Sequence, residues 1–223
     1  AAPPQMGNVY TFLPSKPGVG TSTVAVNAAV AMARLTKAPN RTLLLDMDLS
    51  SGIVGFLLKI TNLHSILEAA ENAHHLDEAL WERLITKRSG LDVLHSGRLN
   101  PDYRINSQQV HTLTEFARRL YTSVCVDVSG NLERYSLEMM QESKQIFLVV
   151  TPEIPSLHLA REKLTFLQQL ELHDRVSVLL NRSHRRAVIG TAQIEGLLGV
   201  PGYMAFPHDY PGGHRALQAG QAG

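Results

Sequence analysis

The sequence predicts a three-layer α/β domain, in which a mostly parallel central sheet is covered by helices on both faces. Short runs of apolar and β-branched residues alternate with longer segments whose apolar residues recur at helical spacing. Several of the short runs are apolar at consecutive positions, as strands buried on both faces are. The chain has 223 residues, of which 44% are hydrophobic, and this is enough for one large domain with a substantial core.

Six strands and four long helices are predicted in an order that favours parallel pairing through right-handed helical crossovers. The predicted strands are residues 9–13, 42–48, 91–96, 123–128, 145–151 and 175–181. The predicted helices are residues 21–35, 107–121, 132–143 and 156–170.

Charge and cysteine content limit the classes of function. The 21 Lys and Arg residues nearly balance the 20 Asp and Glu residues, so no strong overall field attracts nucleic acid or anionic lipid. The single cysteine, Cys125, lies in an apolar run and is interpreted as a core residue of a protein from a reducing compartment. No apolar stretch approaches the roughly 20 residues that cross a bilayer, and the first residues do not resemble a signal segment. We expect a cytoplasmic protein, with any polar or membrane association made through partners.

Residues 14–23, PSKPGVGTST, lie between the first predicted strand and the first long helix, which is where a phosphate-binding loop stands. In such a loop, glycines let backbone N–H groups turn inward around phosphate oxygens, and the helix that follows adds its positive end. Gly18 and Gly20 suit that task. Ser22 stands where a hydroxyl group normally ligates Mg²⁺, with Thr23 beside it, but Thr21 occupies the position of the usual lysine.

At these residues the sequence resembles the deviant Walker A family of P-loop ATPases, the MinD and ParA group, whose loop reads KGGVGKT. The corresponding residues here are KPGVGTS, with Val19 between the two glycines. The resemblance implies ATP and Mg²⁺ as cofactors. It also implies that Lys16 reaches across a homodimer, with nucleotide sandwiched between the subunits, to the partner's phosphates. From the residues alone, Lys16 is nearly as well explained as a solvated loop charge, and Pro17 removes one N–H from the loop.

Two further segments carry carboxylates at the ends of predicted strands. The run LLLDMDLSSG resembles the acidic switch segment of the family, and the likeness implies that Asp48 orients the attacking water while Asp46 supports the magnesium shell. Asp127 ends the apolar run SVCVDV, where a Walker B carboxylate would hold a magnesium-bound water. An aspartate at this place can also simply cap the following turn.

The remaining matches concern the base and ribose of the nucleotide. Glu153, in the segment TPEIPSLHLAREKL, stands where a family glutamate touches the partner's nucleotide ribose. The segments LLNR and FPHDYPGGHRALQAG resemble the two that enclose the adenine, and they point to Asn181, Arg182, Pro207 and Asp209.

Three features together are similar to the pilus-assembly branch of the family, TadZ and CpaE: the altered loop, the segment from Leu63 to Gly97 and the ending PHDYPGGHRALQAG. This likeness implies partners in the pilus secretion machinery. It also implies a receiver-like domain before the chain, so that residues 1–7 would be a linker, 8–220 the ATPase-like domain and 221–223 a tail.

We therefore expect an ATP-binding, dimerising scaffold of type IV (Flp/Tad) pilus assembly. Loss of one charge-assisted hydrogen bond at Thr21 would weaken binding by about ten- to a hundredfold, and ATP hydrolysis would be slow or absent. One alternative is a nucleotide-free module with a vestigial loop and a constitutive dimer. A third is a DNA-partitioning ATPase that uses the basic run 181–186, although the near-neutral charge makes DNA an unlikely partner.

Overall fold

Strands and helices alternate along the chain in the computed structural model, which describes residues 6–36, 41–98, 100, 103–183, 189–200 and 202–207. The strands among these residues are β1 (Asn8–Pro14), β2 (Thr42–Asp46), β3 (Thr86–Arg88), β4 (Leu91–Leu94), β5 (Ser123–Asp127), β6 (Gln145–Val150), β7 (Val176–Ser183) and β8 (Met204–Pro207). The α-helices are α1 (Thr21–Leu35), α2 (Val54–Leu57), α3 (Ile66–Glu71), α4 (Glu78–Leu84), α5 (Ser107–Leu120), α6 (Arg134–Gln141), α7 (Ile154–Gln169) and α8 (Thr191–Leu198).

The strands form one sheet in the order β3-β4-β2-β5-β1-β6-β7-β8. All neighbouring pairs are parallel except β3 and β4, which pair as an antiparallel hairpin at the edge. The predicted fold class is confirmed. The register also places Asp46, the last residue of β2, opposite Asp127, the last residue of β5. The two carboxyl groups therefore lie at the carboxyl ends of two neighbouring strands inside the sheet.

Helices cover both faces of the sheet, and alternate residues of one strand point to different layers. Leu43 and Leu45 pack with residues of α3 to α8, whereas Leu44 packs with residues of α1 and α2. Cys125 is fully buried in the second group, as predicted for a core residue. Two closely packed layers on one sheet hold the strand ends in fixed positions, which is the physical basis for a precise site there.

The elements that sequence patterns miss are the short ones. β3 has three residues, the polar sequence TKR, and lies at the sheet edge, while β8 has four. The segment between the second strand and β4 contains α2, α3 and α4, and Trp81 of α4 is fully buried with its indole N–H donating to the Tyr121 hydroxyl at 2.8 Å. In the described part of the chain, every helix is too short or too polar to traverse a bilayer.

Candidate functional site

The loop between β1 and α1 has the backbone conformation of a phosphate-binding loop. Gly18 and Gly20 have φ values of 82° and 86°, in the left-handed region that glycine adopts without steric cost. Gly20 is the N-cap of α1, and a Cβ atom there would lie 2.6 Å from the side-chain nitrogen of Asn181. Between the glycines, Val19 is buried, and its carbonyl accepts a hydrogen bond of 2.8 Å from the Asn181 amide. Packing against β7 thus fixes the loop and requires glycine at position 20.

This loop forms one wall of a cavity of about 320 Å³. The other walls are the turn after β2 and the loop after β5. The lining residues predicted from the sequence are Gly18, Val19, Gly20, Thr21, Ser22, Thr23, Asp48, Asp127 and Arg182. The lining residues that sequence reasoning did not name as site residues are Pro14, Pro17, Ser51, Ile53, Val128, Ser129, Gly130 and Asn131. Among these residues, the small polar run that follows β5 is a signal that could have been used, since such runs commonly form binding loops at strand ends.

Asp127, which lines the cavity, and Asp46, its neighbour on β2, form a pair of buried carboxyl groups. Asp46 is fully buried and accepts hydrogen bonds from the Val54 amide, the Asp48 amide and the Ser96 hydroxyl. Burial nevertheless raises the pKa of Asp46 to about 7. Burial and then the neighbouring charge of Asp46 raise the pKa of Asp127 well above its ordinary value, and a hydrogen bond from Ser22 opposes the shift. Burial and mutual repulsion thus disfavour ionisation of both carboxyl groups, and a bound cation would offset this cost.

The donor atoms at the pair fit Mg²⁺. One oxygen of Asp127, Oδ2, is buried and has no hydrogen-bond partner, although a buried carboxylate oxygen normally has one. The residues with described positions contain no group of three or more His, Cys, Asp and Glu side chains suited to a metal ion. Mg²⁺ does not need such a cage, because it is commonly held by one or two carboxylates, water and the phosphates of a nucleotide.

Thr21 is the first residue of α1 and is 6% exposed. Its hydroxyl oxygen is also buried without a hydrogen-bond partner. The position of the usual lysine is therefore occupied by a small polar residue that lines the cavity and whose hydroxyl oxygen lacks a partner. A ligand that supplies acceptor atoms in the cavity would satisfy it.

Asp48 lines the cavity, but both of its carboxylate oxygens are engaged by the turn that contains it. Oδ1 accepts hydrogen bonds from the amides of Ser50 and Ser51 at 3.2 and 2.9 Å and from the Ser50 hydroxyl at 2.9 Å. Oδ2 accepts from the Ser51 hydroxyl at 2.7 Å. In this conformation Asp48 serves as a turn cap. Oδ1 is fully engaged, and Oδ2, which accepts a single hydrogen bond, is the oxygen left for the water-orienting role that the resemblance implies.

Lys16 and Glu153 lie next to each other, although 137 residues separate them in the sequence. The Lys16 ammonium is 3.4 Å from Glu153 Oε2, and the two side chains are 27% and 54% exposed. Neither residue lines the cavity. A partly exposed pair of this kind contributes little to stability, about 0 to 1 kcal/mol. Within one subunit, the two residues for which the resemblance implies contacts with a partner's nucleotide are paired with each other.

Asn181 and Arg182 lie at the end of β7, directly beside the phosphate loop, as the hydrogen bond from Asn181 to Val19 shows. Pro207 is the last residue of β8, and its backbone pairs with Ser183 of β7. Asp209 and the segment that follows it lie outside the described residues, as do residues 184–188 of the basic run.

Lys163 of α7 is a further residue of the site that sequence patterns did not reveal. Its ammonium donates to the carbonyl oxygens of Pro14 at 2.7 Å and Gly130 at 2.8 Å, two neighbouring residues that both line the cavity. Burial lowers the pKa of Lys163 to about 8, and the charge of Glu133 opposes this shift. The lysine ties the start of the phosphate loop to the loop after β5.

The parallel sheet, the glycine loop at the N-terminus of α1 and the carboxyl groups at the ends of β2 and β5 define the P-loop nucleoside-triphosphatase fold of the MinD and ParA type. Comparison with known proteins agrees. A ParA family ATPase from Chlorobium tepidum superimposes with a TM-score of 0.86 over 96% of this chain and 90% of the other, at 23% sequence identity. The septum site-determining protein MinD of Pyrococcus horikoshii, solved with Mg-ADP, gives a TM-score of 0.75 over 96% and 86% of the two chains, at 19% identity.

Sequence comparison leads to the same group of proteins. The septum site-determining protein MinD of Thermotoga maritima is 22% identical over 180 residues, which are 79% of this chain and 65% of that protein. Across the MinD proteins that the chain matches, the aligned part spans 62% to 77% of their length. No protein family model matches the chain. The chain is thus similar to MinD and ParA proteins in fold and, at low identity, in sequence.

Proposed function

We propose that this chain binds Mg·ATP in the cavity beside the phosphate loop and hydrolyses it slowly or not at all. The observation that carries the proposal is that two buried polar atoms at the cavity, Thr21 Oγ1 and Asp127 Oδ2, have no partner. They lie beside a glycine loop whose conformation suits phosphate. The structure of the MinD relative with Mg-ADP supports a magnesium-bound adenine nucleotide as the ligand.

In this proposal each residue has a limited task. The amides of residues 18–20 and the N-terminus of α1 bind the phosphates, while Ser22 and Asp127 hold Mg²⁺ with support from Asp46. Mg²⁺, when bound, neutralises phosphate charge. The lysine that stabilises charge during phosphoryl transfer in other P-loop proteins is absent, because Thr21 stands in its place. Ground-state binding therefore depends mainly on groups that are present, whereas hydrolysis depends on one that is not.

Titration with a fluorescent ATP analogue tests the binding. We expect saturation at micromolar nucleotide in the presence of Mg²⁺ and clearly weaker binding with EDTA. Asp127→Asn should remove the Mg²⁺ dependence, while Asp174→Asn, an exposed aspartate outside the cavity, should not. Absence of saturable binding to the wild-type chain at millimolar nucleotide would refute the proposal.

We propose further that nucleotide promotes a homodimer through the end of the sheet that carries the cavity, where the carboxyl ends of the parallel strands lie. Large apolar side chains are exposed there: Phe56 of α2 is 84% exposed, Ile154 at the start of α7 is 61% exposed and Ile53, which lines the cavity, is 45% exposed. Exposed apolar residues gathered near one site are typical of an interface. In such a dimer, Lys16 would leave Glu153 and reach the partner's phosphates.

Analytical ultracentrifugation with and without Mg·ATP tests the dimer. Phe56→Ser should reduce association and leave nucleotide affinity of the monomer unchanged, whereas Leu35→Ser, at an equally exposed position at the end of α1, should change neither. A sedimentation coefficient that nucleotide does not alter, in both wild type and Lys16→Ala, would contradict a nucleotide-dependent dimer.

The cellular role that we propose is a localisation scaffold of type IV (Flp/Tad) pilus assembly, at the cell pole or membrane through partner proteins. The proposal is supported by the resemblance to TadZ and CpaE, while the MinD and ParA relatives support only the broader role of a spatial-organisation ATPase. A deletion strain should lose pili, and a fluorescent fusion should form foci. Normal piliation in the deletion strain would refute the pilus role, and salt-sensitive binding to nonspecific DNA would favour a DNA-partitioning function instead.

The alternative is a nucleotide-free module. It is favoured by the hydrogen bonds of Asp48 and by the Lys16–Glu153 pair, because these side chains have partners without a ligand. Thermal melting separates the two proposals. Ligand at a hundred times its dissociation constant stabilises the fold by about 2.7 kcal/mol, whereas a vestigial site gives no shift.

A further inference from the structure

The cavity has more acidic than basic lining residues, although a polyphosphate ligand would need positive charge there. In the described part of the chain, the ionisable side chains that line it are those of Asp48, Asp127 and Arg182. Two of these three are acidic. The position of the usual loop lysine is Thr21, and Lys16 is held by Glu153 outside the cavity wall. Arg182 is therefore the one positively charged lining residue that the described ranges contain.

Arg182 is positioned by contacts that lead directly to the phosphate loop. Its φ of 55° is left-handed, which is uncommon for a residue with a side chain. Its amide donates to Asn181 Oδ1 at 2.9 Å, and Asn181 in turn donates to the carbonyl of Val19 at 2.8 Å. The guanidinium nitrogen Nη2 lies 3.9 Å from the place where a Cβ on Gly20 would stand. Across the described residues, no carboxylate lies within ion-pair distance of Arg182.

We propose that Arg182 supplies to the phosphates of the bound nucleotide the positive charge that the loop lacks at Thr21. The guanidinium is always charged and carries five donors in a planar fork that matches phosphate oxygens. The resemblance implies a different task for this residue, enclosing the adenine. The inference rests on the proposed nucleotide binding and deepens it, because it says how the charge of the lost lysine is replaced.

Competition titrations of Mg·ATP, AMP and adenosine against wild type, Arg182→Gln and Arg182→Lys test the assignment. Arg182→Gln should weaken ATP by about tenfold, the lower end for a charge-assisted contact because the side chain is exposed. AMP should be weakened less and adenosine not at all, and Arg182→Lys should keep part of the ATP affinity. The loss should shrink as salt is raised from 50 to 200 mM. Arg83→Gln, which removes an exposed charge outside the cavity, is the matched control and should leave all three affinities unchanged.

A second measurement keeps the test independent of small folding defects. Thr21→Lys should increase ATP affinity by a larger factor in the Arg182→Gln background than in wild type, because the two cations would serve the same phosphates. Equal gains in both backgrounds would overturn the inference, as would an equal loss of ATP and adenosine affinity in Arg182→Gln or no loss of either. In contrast, failure of wild type to bind any of the nucleotides would refute the proposed function itself, and with it this inference.

Discussion

Restoring the lysine of the phosphate loop is the most direct test of how this site works. Thr21 is almost fully buried, and its hydroxyl has no hydrogen-bond partner, so Thr21→Lys breaks no hydrogen bond. The residue lines a cavity of about 320 Å³, into which the longer side chain can extend. A charge-assisted hydrogen bond to phosphate contributes about 1.5 to 3 kcal/mol net, which corresponds to about a 10- to 150-fold gain in ATP affinity.

The hydrolysis rate should rise by more than the affinity, because the ammonium also stabilises charge that develops during phosphoryl transfer. Affinity is measured by titration and turnover by phosphate release under saturating Mg·ATP. Thr21→Met, of similar length and without charge, is the control and should improve neither. If Thr21→Lys and Thr21→Met behaved alike in both assays, the missing charge would not be what limits this protein, and the reasoning would be wrong.

Three further predictions concern stability. Burial lowers the pKa of Lys163 to about 8 from 10.5, so between pH 8 and pH 10 the folded chain holds fewer protons there than the unfolded chain. The free energy of unfolding of wild type should therefore rise relative to that of Lys163→Met over this range in urea titrations, and a constant difference would contradict the shift. Burial raises the pKa of Asp46 to about 7, so the pH dependence of stability at this residue is the reverse of that at Lys163. In EDTA, the free energy of unfolding of wild type should fall relative to that of Asp46→Asn from pH 4 to pH 7. Parallel curves would contradict the raised pKa. Gly20→Ala should destabilise the fold by about 1 to 3 kcal/mol, because φ is 86° and the new Cβ would lie 2.6 Å from Asn181. Gly196→Ala in α8, where the Cβ meets open space, is the control and should be neutral or stabilising. Comparable melting temperatures for the two variants would contradict the strain argument.

The buried elements of the fold could be predicted from the sequence because their patterns are dictated by burial itself. TLLLD of β2 is apolar on consecutive positions since both of its faces are covered, and α1 begins at the predicted residue because the glycine loop precedes it. The edge strand β3 escaped prediction because three polar residues carry no period, and its pairing with β4 depends on the hairpin as a whole. Short edge elements are defined by their neighbours more than by their own residues.

The position of a candidate site residue was predictable where it follows from one segment, and was not where distant segments meet. Asp127 at a strand end and Ser22 at a helix start follow from local order. By contrast, the contact of Lys163 with Gly130 joins residues 33 apart, and that of Lys16 with Glu153 depends on how α7 packs beside β1. The engagement of Asp48 by its own turn could have been found, because DLSS is a typical sequence for an aspartate that caps the following amides.

The contacts at the candidate site give a physical reason why this protein would bind nucleotide but hydrolyse it slowly. Groups that would act on the ground state of a bound nucleotide are present: the two left-handed glycines, the N-terminus of α1 and the unpartnered oxygen of Asp127. Groups that would act mainly in the transition state are altered in two independent ways, because Thr21 has no charge and the carboxylate of Asp48 accepts four hydrogen bonds within its turn. Since only interactions that strengthen in the transition state accelerate a reaction, loss of the lysine charge together with the restraint on Asp48 would cost rate more than affinity. A long-lived nucleotide state is what a scaffold that signals by its bound form requires, and a fast ATPase would not maintain it.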